Sequence, residues 1–183
     1  MARRYNYQPR TRRTQLTQTQ SRQIRTTERK VTKVERNTEG DKRILKITME
    51  GGSRYTISNK DEKYHDNEIR FKTLWKALGA GHKLEVLHDG MKILDCSADV
   101  SSQDYTISEV EERENSVLLT LSSEETEECK VVIGDAEDAV ECYSGHSFLS
   151  RKINFLTAEE LCTLGKSVKL YFLEEVPALI LVN

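Results

Sequence analysis

Four histidines, four cysteines and several carboxylate runs are the residues of this chain best suited to chemistry. His65, His82, His88 and His146 are scattered, and a His82–His88 metal pair would need further ligands that the neighbouring sequence does not offer. They read as surface or turn histidines. Cys96, Cys129, Cys142 and Cys162 fall at wide, unpaired spacings, which predicts reduced thiols, not a disulfide framework or a zinc site. Ser144-Gly145-His146-Ser147 lacks the Gly-x-Ser-x-Gly elbow that exposes a nucleophile. Gly79-Ala80-Gly81 follows an expected helix and does not open one, so it cannot aim helix N-terminal amides at a phosphate. The runs Glu109–Glu114 and Glu124–Glu128 read as exposed loop or edge solvation, and acid–base work needs one partly buried carboxyl. No catalytic residue, metal, cofactor or small-molecule substrate is expected, and the chain is read as a non-enzyme.

Charge points elsewhere. The chain has 183 residues, 28 Lys+Arg against 30 Asp+Glu and a formal net charge of −2. Residues 1–36 hold eleven cations against Glu28 and Glu35, a net of +9, and leave −11 on the remainder. Arg3, Arg4, Arg10, Arg12 and Arg13 in this arm can neutralise phosphates by counterion release without a specific fold. Tyr5 and Tyr7 add possible stacking surfaces. A localisation signal or a solubilising tail explains the same composition equally well. No apolar run approaches the roughly 20 residues that span a bilayer, so no membrane partner is expected.

These residues need elements to hold them. Residues 1–21 read as disordered, with a short helix possible from Arg22 to Lys33. Leu45, Ile47 and Met49 alternate with polar residues as a half-buried strand, and Gly51-Gly52 turns the chain into a return strand through Tyr55 and Ile57. Phe71, Leu74, Trp75 and Leu78 share one helix face. Leu84 and Val86 begin a strand, His88-Asp89-Gly90 turns it, and residues 91–96 return. Further strands are predicted near Tyr105–Ser108, Val117–Leu121 and Lys130–Ile133. Leu149, Ile153 and Leu156 predict a second helix, with Thr157 and Glu160 as a capping box for a last turn. Val168–Phe172, the turn Glu174-Glu175 and Ala178–Val182 form a closing hairpin, with Pro177 at its edge. A helix followed by a tight hairpin thus occurs twice, which predicts an α+β fold with two helices on one face of antiparallel sheet.

The pattern resembles a domain of the DNA sliding clamps. The similarity is best in FKTLWKALGAGHKLEVLHDGMKILDCS (71–97) and in HSFLSRKINFL with KSVKLYFLEEVPALILV (146–156 and 166–182). The latter resembles a clamp's last helix and final hairpin, with an acidic turn before proline and an apolar strand. KVERNTEGDKRILKITMEGGSRYTISNKDEK (33–63) resembles the closing strands of a clamp's first domain. Within the family, the tail-bearing subunit of the DNA-damage checkpoint clamp, the nine-one-one complex, is most similar. The first domain is incomplete here. Charge marks residues 1–36 as a basic, disordered arm, and the resemblance implies partial first-domain strands and a connector over 37–66 and a clamp-like domain over 67–183.

It also implies a nuclear, non-catalytic subunit that assembles with other clamp subunits and meets a clamp loader and checkpoint kinases. Lys72 and Lys76 on the first helix, and Arg151 and Lys152 on the second, would then face duplex DNA phosphates. Thr14, Thr17, Thr19 and Ser102 each precede glutamine, as in sites of checkpoint phosphoinositide-like kinases, and phosphates in the arm would cancel its charge. A polar low-complexity tract generates the same dipeptides by chance. A different reading is an intracellular interaction scaffold of unrelated α+β fold whose arm binds RNA or DNA.

Overall fold

The computed structural model describes residues 23–145 and 151–182, and folds them into two sheets with two α-helices. Strand β1 spans Arg25–Glu39, where the sequence predicted a short helix and the end of a disordered arm. Only Val31 is fully buried along it. Charge misled the sequence reading because a strand with one solvated face needs few apolar residues when each part of its backbone is paired with a neighbouring strand. Residues 25–30 of β1 pair with β4 (Lys83–His88), whereas residues 31–39 pair with β2 (Lys42–Met49). A register shift at Val31/Lys33 marks the handover from one hairpin to the other. A boundary at residue 36 therefore falls inside a strand, and residues 37–66 share a sheet with later strands.

Strand β3 (Arg54–Ser58) returns on β2 through the glycine turn, and β5 (Ile93–Ser97) returns on β4, so the first sheet has the order β3-β2-β1-β4-β5. Asp89 fixes the second turn by accepting from the Met91 and Lys92 amides at 2.9 and 2.8 Å. The helix predicted from Phe71 is α1 (Glu68–Ala77). Its Phe71 and Leu74, with Leu78 just beyond it, pack on Leu45, Ile47, Ile57, Leu84 and Val86 of this sheet. Burying each such side chain is worth about 1.5–3 kcal/mol.

The second sheet contains β6 (Val100–Arg113), β7 (Ser116–Ser122), β8 (Cys129–Gly134), β9 (Glu141–Ser144), β10 (Arg151–Lys152), β11 (Ser167–Leu173) and β12 (Val176–Val182). Its order is β10-β9-β12-β11-β6-β7-β8, antiparallel except for the parallel pair β9–β12. Glu109–Arg113, expected as loop or edge, lies within β6 and pairs with β7. The second helix, α2 (Phe155–Leu161), starts later than the spacing of Leu149, Ile153 and Leu156 suggested. Asn154 is its N-cap, its Oδ1 accepting from the Thr157 amide at 2.9 Å, so Thr157 is the capped residue and not the cap. Leu149 lies outside the described residues.

The two helices do not share a face. Along β12, Leu179 and Leu181 join Ile69 of α1, Tyr143 and Tyr171 on one side. Ile180 and Val182 join Ala158 of α2, Cys142, Leu119 and Leu170 on the other. Successive strand residues point to opposite faces, so α1 lies between the two sheets and α2 covers the far side of the second. The unbroken run Ala178–Val182 is the cause, because a strand apolar at every position is stable only when covered on both faces.

Candidate nucleic-acid interface

The sequence placed four cations of the folded part against DNA. Lys72 is buried, with its side chain 7% exposed. Its Nζ lies 3.4 Å from Glu68 Oε1, one turn earlier on α1, and 5.0 Å from the centroid of the Tyr143 ring. Tyr143 donates to Glu141 Oε2 at 2.9 Å, and Lys152 reaches Glu141 Oε1 at 2.6 Å. Burial first, then the Glu141 charge, hold the Tyr143 phenol well above its usual range. Lys72 is thus a buried, compensated charge that links α1 to β9. Lys76 is exposed at the end of α1. Arg151 and Lys152 stand on the two-residue strand β10, opposite Ser144 and Tyr143, and not on a helix. Arg3, Arg4, Arg10, Arg12, Arg13, Thr14, Thr17 and Thr19 lie outside the described residues. Ser102 is exposed, yet its backbone is fixed opposite Tyr171 in the β6–β11 ladder, so a kinase would meet it in a paired strand.

Arg36, counted with the arm, has a structural task. Its Nε donates to the Trp75 carbonyl at 2.6 Å and its guanidinium to the Leu78 carbonyl at 2.6 Å. These are acceptors at the C-terminal end of α1, where a cation also suits the helix dipole. Desolvation of the guanidinium lowers its pKa from the usual arginine value. Arg43, from β2, stands over the Trp75 ring with 5.8 Å from Cζ to the centroid.

A cation cluster that sequence reasoning missed lies on the outward face of the first sheet. Val34, Leu45, Ile47 and Ile57 point to α1 or flank its core, so the alternate positions face away from it. In register across the strands, Lys33 stands beside Thr48 and Thr48 beside Arg54, while Glu35 stands beside Lys46 and Lys46 beside Thr56. Lys33 hydrogen-bonds Glu35 at 2.5 Å. That bond, then the charge of Lys33, and more weakly those of Lys46 and Arg54, hold the Glu35 carboxyl below its usual range. Farther along, Lys30 lies opposite Lys83, and Lys83 pairs with Glu28 at 2.8 Å. The face is open, cationic at its centre and carries threonine hydroxyls. Such a surface suits phosphate oxygens and offers no aromatic ring for base stacking.

The charge of the whole chain follows the two sheets. Residues 1–99 carry 22 cations and 13 carboxylates, a net of +9, and residues 100–183 carry 6 cations and 17 carboxylates, a net of −11. Between the sheets lies a cavity of about 900 Å³ lined by Glu28, Arg70, Lys83, Glu85, Asp99 and Glu174 among others. One of its carboxylates, that of Glu174, joins the two sheets. Glu174 and Glu175 form the β11–β12 turn in the left-handed region (φ 48° and 69°), and the Glu174 carboxylate accepts from the Lys83 amide while its own amide donates to the Asp99 carbonyl.

Among the described histidines, His65 and His82 sit in turns, where His65 Nε2 contacts the Lys60 carbonyl and His82 Nδ1 the Gly79 backbone, and His88 ends β4 with its Nδ1 on the Gly90 amide. His146 lies outside the described residues. Among the described residues no group of three His, Cys, Asp or Glu side chains is placed to hold a metal ion, and no helix is long and apolar enough to cross a membrane. No protein-family model matches this chain, and no curated protein matches it.

Proposed function

We propose that this protein is a non-catalytic module that contacts nucleic acid through the phosphate backbone, using its arginine-rich N-terminal segment and the outward face of the first sheet. The observation that carries this reading is the convergence of Lys33, Lys46 and Arg54 from three strands onto one exposed face. That face continues into β1, whose start lies directly after a segment, residues 1–22, with six arginines and no carboxylate. Contacts of this kind position a chain on a duplex without reading bases. The acidic second sheet, by the same charge logic, repels the duplex and is left for a protein partner.

Fluorescence anisotropy with a labelled DNA duplex over a series of salt concentrations tests the reading. Reversing Lys46 and Arg54 to glutamate should weaken binding and reduce the slope of log K against log salt by about 0.9 for each phosphate no longer neutralised. Deleting residues 1–22 should reduce the slope further. Unchanged slopes in both variants would remove nucleic acid from consideration.

A second reading keeps the sliding-clamp resemblance and its nuclear, DNA-damage setting. It is favoured by the repeated helix-then-hairpin unit, α1-β4-β5 and α2-β11-β12, and by the sheet edges β3, β5, β8 and β10, which the described residues leave unpaired for edge-to-edge assembly. With the helices on opposite faces of the second sheet, α1 and α2 cannot line one channel together. Co-elution with nine-one-one clamp subunits on size-exclusion chromatography tests it, and a chain that stays monomeric in their presence would set it aside.

A further inference from the structure

A second, smaller cavity of about 280 Å³ lies where the start of α1 faces the start of β6. Asp66, Asn67 and Arg70 line it from the helix side, and Ser102 and Tyr171 from the second sheet. Tyr171 and Ser102 stand opposite each other in the β6–β11 ladder, so their side chains share the sheet face that packs on Ile69 of α1. Tyr171 is only 6% exposed, yet among the described residues its hydroxyl has no hydrogen-bond partner. A phenol this deep ordinarily has one. The neighbouring groups are unsatisfied in the same way. Among the described residues Asp66 and Ser102 make no side-chain hydrogen bond or ion pair, and Asn67 starts α1 without a side-chain cap bond. The Arg70 guanidinium makes one long contact, 3.4 Å to the Val100 carbonyl. The Arg70 amide donates to the Asn67 carbonyl at 3.1 Å, whereas the amides of Glu68 and Ile69 find no acceptor among the described residues. We propose that this cavity binds a small free α-amino acid, with Asp66 on its ammonium, Arg70 and the first amides of α1 on its carboxylate, and Ser102 and Tyr171 on its remaining polar atoms.

Charge decides between ligand classes. Asp66 and Arg70 are the charged residues of the lining, one of each sign, so the cavity is neutral and dipolar. The Glu68 carboxylate is engaged elsewhere, 3.4 Å from Lys72 Nζ. A phosphate would gain from Arg70 and from the positive end of the ten-residue α1 but would be repelled by Asp66, and a metal cation would meet the reverse conflict. A zwitterion satisfies both signs. Asp66 lies two residues before the Glu68 amide, so the two charged ends of one short ligand meet adjacent stretches of chain. The volume falls at the lower limit of ligand pockets, roughly 300–1,000 Å³, and the polar lining suits a side chain such as that of serine. Occupancy would tie the start of α1 to β6 and so brace the helix against the second sheet.

The test is isothermal titration calorimetry of the full chain with L-serine, glycine and L-alanine, set against acetate, methylammonium and inorganic phosphate. L-serine should bind saturably at one site per chain, with acetate and methylammonium each at least about tenfold weaker because each satisfies one charged end only. Asp66→Asn should weaken L-serine about tenfold without weakening acetate. Tyr171→Phe keeps the ring in its packing and should also weaken L-serine about tenfold, through loss of the hydroxyl. Absence of saturable binding by all three amino acids at millimolar concentration would overturn the proposal. So would acetate or phosphate binding as tightly as L-serine, or an unchanged L-serine affinity in Asp66→Asn. Asp66 is exposed, so that variant decides the question even if Tyr171→Phe fails to fold. None of the residues involved belongs to the outward face of the first sheet or to residues 1–22, so this proposal and nucleic-acid binding can fail separately.

Discussion

Replacing Arg36 with alanine separates a structural cation from a phosphate-binding one. Its guanidinium makes two 2.6 Å hydrogen bonds to carbonyls at the end of α1, with a third, longer contact of 3.5 Å to the Lys76 carbonyl. Hydrogen bonds from a charged donor contribute about 1.5–3 kcal/mol when shielded. Arg36 is exposed, so solvent competes and about 1 kcal/mol for each of the two short bonds is the better figure. The charge near the negative end of the helix dipole adds about 0.5 kcal/mol. Arg36→Ala should therefore lower unfolding stability by about 2.5 kcal/mol in urea titrations, with an unchanged m-value. Arg36→Lys keeps the charge but not the planar fork, and should recover less than half of the loss. A loss below about 0.5 kcal/mol, or a fall in duplex affinity with stability intact, would refute the capping role and return Arg36 to the basic arm.

Gly134, at the end of β8, has φ +128°, and an added Cβ would stand 2.3 Å from the Asn115 carbonyl oxygen and 2.6 Å from Ser116 Cα. Both are backbone atoms that cannot yield by a rotamer change, so Gly134→Ala should cost about 3 kcal/mol in the same assay. Gly40 shares a positive φ but has nothing within 4 Å, and Gly40→Ala should cost only about 1 kcal/mol. A smaller effect at Gly134 than at Gly40 would contradict the geometry. Burial, followed by the weaker opposing effect of Lys63 and the reinforcing charge of Asp95, pushes the Cys96 thiol up to about 11. The unfolded chain loses that proton first, so this contribution to stability is intact below the ordinary thiol value of 9.0 and disappears as pH rises toward about 11. Urea midpoints from pH 7 to 10.5 should fall in the parent chain and fall less steeply in Cys96→Ala; parallel declines would exclude Cys96 as the source.

Local patterning made much of the fold readable. Phe71, Leu74 and Leu78 recur at helical spacing and are buried, and Asp89-Gly90 and Glu174-Glu175 turn the hairpins where expected. Strand β1 was hidden because its residues are set by two neighbours that come later in the chain, not by its own apolar content. Helix α2 was misplaced because Leu149, Ile153 and Leu156 fit a helical period, although Asn154 supplies the cap that fixes the true start. The opposite placement of the helices was legible in principle: Ala178–Val182 is apolar at five consecutive positions, and a one-sided strand would alternate. The outward cation cluster was out of reach, since Lys33, Lys46 and Arg54 become neighbours only through cross-strand register. Lys72 looked like an exposed helix cation because its partners lie on β9 as well as one turn earlier on α1.

The position of β12 bears on how the chain is made. This strand is last in sequence yet stands between β9 and β11, and every position from Ala178 to Val182 is buried. A chain emerging residue by residue from the ribosome can close the first sheet once Ser97 is free, but the second stays split in two until residues 176–182 arrive. During that interval β9 and β11 expose strand edges toward the missing centre, the condition that recruits chaperones or seeds aggregation. Stalling or premature termination before Val176 should therefore produce an insoluble product, even though most of the residues that surround α1 are already synthesised.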